Sequence, residues 1–148
     1  MESLLLSAHV LAGILLVGPV AVTASLFPRY APVSATTGET HRNADIARLL
    51  HRVTRGYGAA ALVVPVVGLA LAGVQGRTTE VWVIVAMVLT AVAGGLLALQ
   101  IAPRQREALD APDDGAQLRR LGMLTGVFNL LWALVVVLMI VRPGSSYP

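Results

Sequence analysis

Three side chains in this sequence are of types that could bind a cofactor in an apolar environment. His9 lies in the stretch SAHVLAG, and Met87 and Met139 lie in later apolar segments. Imidazole and thioether groups are axial ligands of b-type haem, and both also suit Cu(I). The alternative for His9 is structural, with a ring N–H that donates to a backbone carbonyl or pairs with Ser7 or Thr90. The segments that contain these residues help to decide between a cofactor-binding and a structural role for His9.

Composition places these residues in a membrane protein. The chain has 148 residues, of which 56% are hydrophobic and 13% are charged, and its mean hydropathy is +0.75. A soluble domain carries about 25% charged residues. Four apolar segments have lengths typical of membrane-spanning helices: residues 4–27, 58–74, 81–101 and 121–141. The pattern predicts an all-α integral membrane protein, a single domain over residues 1–148 that forms an up-and-down bundle of four transmembrane helices.

The first apolar segment is interpreted as a retained span. No Lys or Arg precedes it, and its apolar core is longer than the roughly 7–15 residues of a secretory signal. The arginines then predict the orientation. Nine of them lie in the connections that follow the first and third segments, whereas Arg77 and Arg142 lie on the opposite side. Because basic residues accumulate on the cytoplasmic side, both termini are expected outside.

Charge and cysteine content exclude several classes of function. The net charge is +3, all basic residues are arginine, and the sequence contains no cysteine. Basic residues beside membrane spans set orientation and contact anionic lipid, so the charge does not indicate nucleic-acid binding. The lack of cysteine excludes disulfides, thiolate metal sites, iron–sulfur clusters and covalently attached haem. The exclusive use of arginine is taken as a codon-usage trace of a GC-rich bacterial genome, which places the chain in the inner membrane.

The first connection contains a predicted basic amphipathic helix over about residues 43–55. Its apolar residues recur at helical spacing, which suits a helix at the inner leaflet or one that continues into the second span. The opposite face carries three arginines that we expect to contact lipid: Arg48, Arg52 and Arg55. A docking site for a soluble partner is the alternative. His41 and His51 are expected to be solvated.

The other two connections predict which helices are neighbours and how the fourth helix begins. The short GRTTE connection makes the second and third helices antiparallel neighbours. Asp114 followed by Gln117 resembles a capping box that opens the fourth helix.

Small residues predict where helices approach one another in the membrane. Without a hydrophobic driving force between helices, close packing favours glycine and alanine faces. The candidate packing residues are Gly13, Gly94, Gly122, Gly126 and Asn129, and the second span adds Gly68. Asn129 is expected to hydrogen-bond across the core, and Gly126→Leu to destabilise the fold or an assembly. The same faces suit internal packing, self-association or both.

His9 can be placed by depth in the membrane. With the amino terminus outside, it lies about five residues below the outer surface, ~8 Å, and Met87 descends to ~9 Å from the same side. Met139 lies near the outer end of the fourth span, so one layer could hold all three. A metal site also needs second-shell partners, and the spans contain no carboxylate. We therefore expect His9 to hydrogen-bond in a buried position, with His9 and Met87 as cofactor ligands in the alternative.

A family resemblance covers nearly the whole chain in span order. The segment LLLSAHVLAGILLVGPVAVTASLFPRY resembles the first helix of uncharacterised, small, four-span bacterial integral membrane proteins, with an early histidine, small residues and an interfacial arginine. More distantly, it resembles the copper-resistance membrane domain and the membrane-bound protoporphyrinogen oxidase. The oxidase resemblance implies haem on His9 and a basic residue in the third span. The copper resemblance implies further His or Met ligands. The third span, VWVIVAMVLTAVAGGLLALQIA, has no basic residue.

No enzyme motif accompanies these features. The sequence contains no phosphate-binding loop, no paired carboxylates in a span and no nucleophile beside a base. Nor does it show the inverted repeat expected of a transporter. The sequence therefore favours a non-catalytic accessory, stabilising or assembly subunit of a larger inner-membrane complex, for example a respiratory one, with membrane lipids and other integral membrane proteins or itself as partners. The alternative is a membrane protein of redox or metal homeostasis that binds haem b or copper through His9.

Overall fold

The computed structural model describes residues 1–34 and 42–145. Within these ranges it contains four helices long and apolar enough to cross a membrane: α1 (Glu2–Tyr30), α2 (Ala44–Val74), α3 (Val81–Asp110) and α4 (Ala116–Val141). The prediction of an all-α, four-helix membrane protein is confirmed. Each helix is longer than the apolar segment that predicted it, because polar turns extend α1, α2, α3 and α4 beyond the apolar stretches at one end or both.

Three of the four helices are irregular, and each irregularity coincides with a proline. A proline lacks the N–H that would donate to the carbonyl four residues earlier, and its ring crowds that carbonyl. In α1 a π-helical turn, Gly13–Val17, precedes Pro19. In α3 a second π-helical turn, Leu97–Ile101, precedes Pro103. These wider turns let the chain pass a proline without ending the helix.

Pro65 interrupts α2 more strongly. The helix is regular over Ala44–Ala60 and again over Val63–Val74, with a turn at the two residues between them. The carbonyl of Ala61, which Pro65 leaves without its helical donor, accepts instead from the amide of Val64 at 3.0 Å. The two halves of α2 can therefore take different directions.

The predicted amphipathic helix is the first part of α2. The side chain of Asn43 caps it, since its Oδ1 accepts from the amides of Asp45 (2.8 Å) and Ile46 (3.2 Å). From there the helix continues without interruption to Ala60. Of the two predicted arrangements, the structure has the one that continues into the second span.

The bundle is tight at its arginine-rich end, the end where nine arginines lie in the last turns of α1 and α3, the first turns of α2 and α4, and the loop before α2. There α1 packs along α2 and against α4, and the final turns of α3 reach both α2 and α4. The largest fully buried apolar side chains lie in this core: Phe27, Ile101, Leu121 and Phe128. At the opposite end α2 packs on α1 but hardly touches α3. Although their connection is short, α2 and α3 diverge beyond the turn before Pro65.

The cap of α4 differs from the predicted capping box. Asp113 provides it, accepting from the amides of Gly115 (2.8 Å) and Gln117 (3.1 Å). Asp114 accepts only from the amide of Ala116, at 3.1 Å. The prediction of an Asp114–Gln117 box was wrong because Gly115 has a φ of 99°, and this left-handed residue moves the cap one position back.

Four of the glycines predicted to mediate close packing do not do so within the part of the chain that the structure describes. A Cβ built at Gly13, Gly94, Gly122 or Gly126 would have no neighbouring atom within 4 Å. The prediction of internal close packing at these positions was wrong, because a glycine permits a close approach without requiring one. Their role in an assembly stays a prediction.

The membrane orientation stays a prediction that a reporter fusion can test. Nine arginines at one end against two at the other predict that both termini lie outside. An exported reporter fused after Pro148 should therefore be active, and a reporter that works only in the cytoplasm should be silent. The reverse pattern would show that the arginine distribution does not set the orientation.

Candidate functional sites

His9 is buried between α1 and α2, where it makes a hydrogen bond. Its side chain is 9% exposed, and Nδ1 lies 3.0 Å from the carbonyl oxygen of Val64. A carbonyl oxygen can only accept, so the tautomer with the proton on Nδ1 makes this bond and Nε2 keeps its lone pair. This is the predicted backbone-carbonyl partner; Ser7 instead donates to the carbonyl of Ser3.

Gly68 provides the space that the imidazole occupies. A Cβ at this position would lie 2.7 Å from Cε1 and 3.1 Å from Nδ1 of His9. Such distances are far below van der Waals contact, so the ring lies directly over the backbone of α2. Among the small residues predicted to mediate packing, Gly68 is therefore one at which a close approach does occur.

The His9 hydrogen bond leads to a prediction about stability. His9→Gln keeps a donor for the Val64 carbonyl, whereas His9→Leu leaves that oxygen without its side-chain partner. We expect His9→Leu to be less stable than His9→Gln by about 1 kcal/mol, the usual size of an intramembrane hydrogen bond. Unfolding by SDS in mild-detergent micelles measures the difference. Equal stability of the two variants would show that the bond contributes nothing.

Met87 lies in a different environment from His9. It lines a cavity of about 290 Å³ between α2 and α3, the α2–α3 cleft, and His9 is not a lining residue of this cleft. The described residues contain no group of three or more His, Cys, Asp or Glu that could hold a metal ion. A cofactor role for His9 and Met87 stays a prediction.

The α2–α3 cleft follows from the break in α2. Beyond that break the carboxyl-terminal half of α2 packs on α1, so α2 and α3 leave space between them in the middle of the span. The walls are apolar and include many small residues: Gly58, Ala61, Ala91, Gly94 and Gly95. Phe128 and Trp132 of α4, whose rings meet edge to face, form part of the lining. Sequence reasoning missed this cleft, although Pro65 gave a signal for it.

Thr90 is a polar residue on the wall of this cleft. Its hydroxyl makes no hydrogen bond with any residue in the described part of the chain, whereas Thr23 bonds back to the carbonyl of Pro19 at 2.8 Å. In hydrocarbon an unpaired hydroxyl costs free energy. Thr90 is thus a polar group in the membrane region with an unused capacity to donate and accept.

A second polar cluster lies in the core at the arginine-rich end. His51 Nδ1 lies 2.9 Å from Oε1 of Gln105, and the His51 ring packs against Phe27 with centroids 6.4 Å apart. Beside it, the hydroxyls of Thr23 and Thr54 are 2.8 Å apart. His51 was expected to be solvated, but it is partly buried and hydrogen-bonded, because α2 turns this face towards α3. His41 lies outside the described residues.

The three arginines predicted to contact lipid lie on the exposed side of α2. Arg48, Arg52 and Arg55 are all exposed, and Arg48 forms an ion pair with Asp45 at 3.0 Å. Leu49, on the same helix, is 57% exposed. An exposed leucine among exposed arginines suits a helix whose surface faces a lipid headgroup region.

Asn129 connects α4 with α1. Its Nδ2 donates to Oγ of Ser25 at 3.1 Å, while its Oδ1 has no partner among the described residues. Asn129 thus lies at a helix–helix contact, one turn from the open glycine Gly126.

Comparisons with known proteins found no match. No protein-family model matches the chain, and neither a curated protein nor a solved structure matches it.

Proposed function

We propose that this protein is a non-catalytic accessory or assembly subunit of a larger complex in the bacterial inner membrane, and that a transmembrane helix of a partner packs over the α2–α3 cleft and inserts side chains into it. The observation that carries the proposal is the cleft itself, an apolar opening with small residues on its walls. Helices associate in membranes where small residues allow their backbones to come close.

Two glycines of α3 make this wall suitable for a helix. A Cβ at Gly94 or Gly95 would contact nothing within 4 Å, so neither glycine makes a tight contact with the other described residues. Met87, on the same wall, has a flexible thioether side chain that adapts to the shape of a neighbour. A partner helix would gain van der Waals contact here that lipid chains supply less well.

Thr90 supports the same occupant. Hydrogen bonds across helices stabilise contacts in hydrocarbon, where unpaired polar groups find no water. A partner helix with a polar side chain or an open carbonyl would satisfy the Thr90 hydroxyl. Saturated lipid chains offer no such group.

The test compares one substitution at two glycines. Gly95→Leu places a side chain in the cleft, whereas Gly126→Leu places the same side chain on the exposed face of α4. Both positions have open space, so both variants should fold and melt like the parent protein in mild detergent. The sequence predicted that Gly126→Leu would disturb the fold or an assembly; because Gly126 is exposed with open space around it, we now expect a pull-down to recover the same membrane proteins with Gly126→Leu as with the parent, and to lose them with Gly95→Leu.

Two other results would contradict the proposal. Loss of the partners with Gly126→Leu and retention with Gly95→Leu would place the docking face on α4, at the predicted Gly122–Gly126 seam. Purification of the parent protein without a constant set of partners would reject the accessory role altogether.

A haem- or copper-binding role for His9 is the second candidate. One observation favours it: a histidine that ligates a metal usually donates its other ring N–H to a carbonyl or carboxylate, and His9 does so to Val64. An absorption spectrum and a copper determination on the same purified material test it. A Soret band or stoichiometric copper that disappears in both His9→Gln and His9→Leu would favour this role over the structural one.

A further inference from the structure

A groove at the arginine-rich end runs between the last turns of α1 and the first turns of α4. Its volume is about 680 Å³, and three arginines line it: Arg29, Arg42 and Arg119. Asp114 is the carboxylate on its wall. We call it the α1–α4 groove, and we propose that it binds the phosphate of an anionic phospholipid. It does not include the arginines of α2 that the sequence predicts to contact lipid.

The charges in the groove favour an anion. Arg29 and Arg119 bring two guanidinium groups to the described lining, whereas Arg42 already has partners of its own. Arg29 and Arg119 are exposed, and neither makes a hydrogen bond or an ion pair with a residue in the described ranges. Guanidinium groups present paired N–H donors that match phosphate oxygens. Two such groups from different helices can therefore hold one phosphate between them.

The walls of the groove are fixed before any ligand arrives. Arg42 donates from Nη1 to the carbonyls of Pro28 (3.1 Å) and Ala31 (2.8 Å), which ties the chain before α2 to the end of α1. The amide of Ser34 donates to the carbonyl of Asp113 at 2.8 Å, which ties that same end to the start of α4. A preformed site loses less conformational entropy on binding.

The position of the groove selects a lipid as the source of the phosphate. The arginines lie where the apolar parts of α1 and α4 end, which is the level of the headgroups. Below them the lining continues with Leu26 and Gly122, and a Cβ at Gly122 would meet nothing within 4 Å. An acyl chain can lie along this apolar part while its phosphate contacts Arg29 and Arg119. Basic pockets between transmembrane helices on the cytoplasmic side bind anionic lipids in this way.

Native mass spectrometry of the purified, delipidated chain tests the site. The protein is mixed with equal amounts of phosphatidylglycerol and phosphatidylcholine of the same acyl chains, and the ratio of the two bound lipids is measured. We expect the parent protein to retain phosphatidylglycerol preferentially. Arg119→Gln and Arg29→Gln should each lower this ratio about fivefold, the effect of one basic residue near an anionic surface.

Arg120→Gln is the matched control. Arg120 is the next residue of the same helix and is also exposed, but it does not line the groove. It should leave the lipid ratio unchanged. Gly122→Leu, which fills the apolar part without changing the charge, should lower phosphatidylglycerol retention as well.

Three outcomes would overturn the inference. Equal losses with Arg119→Gln and Arg120→Gln would show diffuse surface charge in place of a site. Displacement of the lipid by low concentrations of inorganic phosphate would indicate a site for a free anion. Displacement by an acidic peptide at similar concentrations, with no preference between the two lipids, would indicate a protein partner.

Discussion

Gly68→Ala is expected to destabilise the protein by about 1–3 kcal/mol, the usual cost of an extra methyl group in a fully packed contact. In most helix interiors this substitution is stabilising, because glycine costs about 0.5–1 kcal/mol relative to alanine. At Gly68 the new Cβ would lie 2.7 Å from Cε1 of His9. The ring would have to move, and its hydrogen bond to the carbonyl of Val64 would be lost.

Gly73→Ala provides the matched control in the same helix. A Cβ at Gly73 meets nothing within 4 Å, so this variant should be as stable as the parent or slightly more stable. SDS unfolding curves of the two variants measure both effects. A second check is the double variant with His9→Ala, in which the clash is absent and Gly68→Ala should cost little. Similar stabilities of Gly68→Ala and Gly73→Ala would show that α1 and α2 do not meet through this contact.

The sequence was enough to predict a buried, hydrogen-bonded His9, but not to predict which group is its hydrogen-bond partner. An imidazole in an apolar helix must find a hydrogen-bond partner, and this favoured burial against a neighbouring helix. The partner is a carbonyl of α2, and which carbonyl faces α1 depends on the direction of α2 beyond its break before Pro65. That direction is a property of the packed bundle and is not encoded by the residues around His9.

For the small-residue faces, the sequence indicated where close contacts are possible but not where they occur. The glycines of α3 and α4 were predicted to lie at close helix contacts, but a Cβ at Gly94, Gly122 or Gly126 would meet nothing within 4 Å in the described part of the chain. The actual close approaches are at Gly68 with His9 and at Gly58, where a Cβ would lie 2.9 Å from Cδ2 of Leu97. Spacing alone cannot separate a face used within a chain from one left for lipid or a partner, because both need the same residues.

The prolines explain why the α2–α3 cleft could not be predicted from the sequence. A proline inside an apolar segment indicates a disturbed helix, but not the kind of disturbance. Pro19 and Pro103 each follow a π-helical turn, whereas Pro65 follows a break. The difference decides whether a helix stays beside its neighbour or leaves it, and thus whether a cleft opens.

Phe27→Ala is expected to have the largest effect of the substitutions considered, about 3 kcal/mol or more, as for other fully buried phenylalanines. Phe27 is completely buried at the arginine-rich end and belongs to the cluster that joins α1 to the other helices. Removing its ring leaves a void whose lining loses dispersion contacts. In a membrane protein this packing loss is the main term, because lipid is as apolar as the core.

The same ring also supports the polar cluster beside it. Phe27 packs against His51, which is 2.9 Å from Gln105. Without the ring His51 gains room to turn away, and the fully buried amide of Gln105 would then lose its partner, which adds to the cost. Phe27→Leu keeps most of the volume and should lose less than half as much stability as Phe27→Ala. Leu130→Ala, at a position of α4 that is 60% exposed, should change the SDS unfolding midpoint little. If Phe27→Ala proved no more destabilising than Leu130→Ala, the arginine-rich end would not be the stable core of the bundle, and the rigid walls attributed to the α1–α4 groove would lose their support.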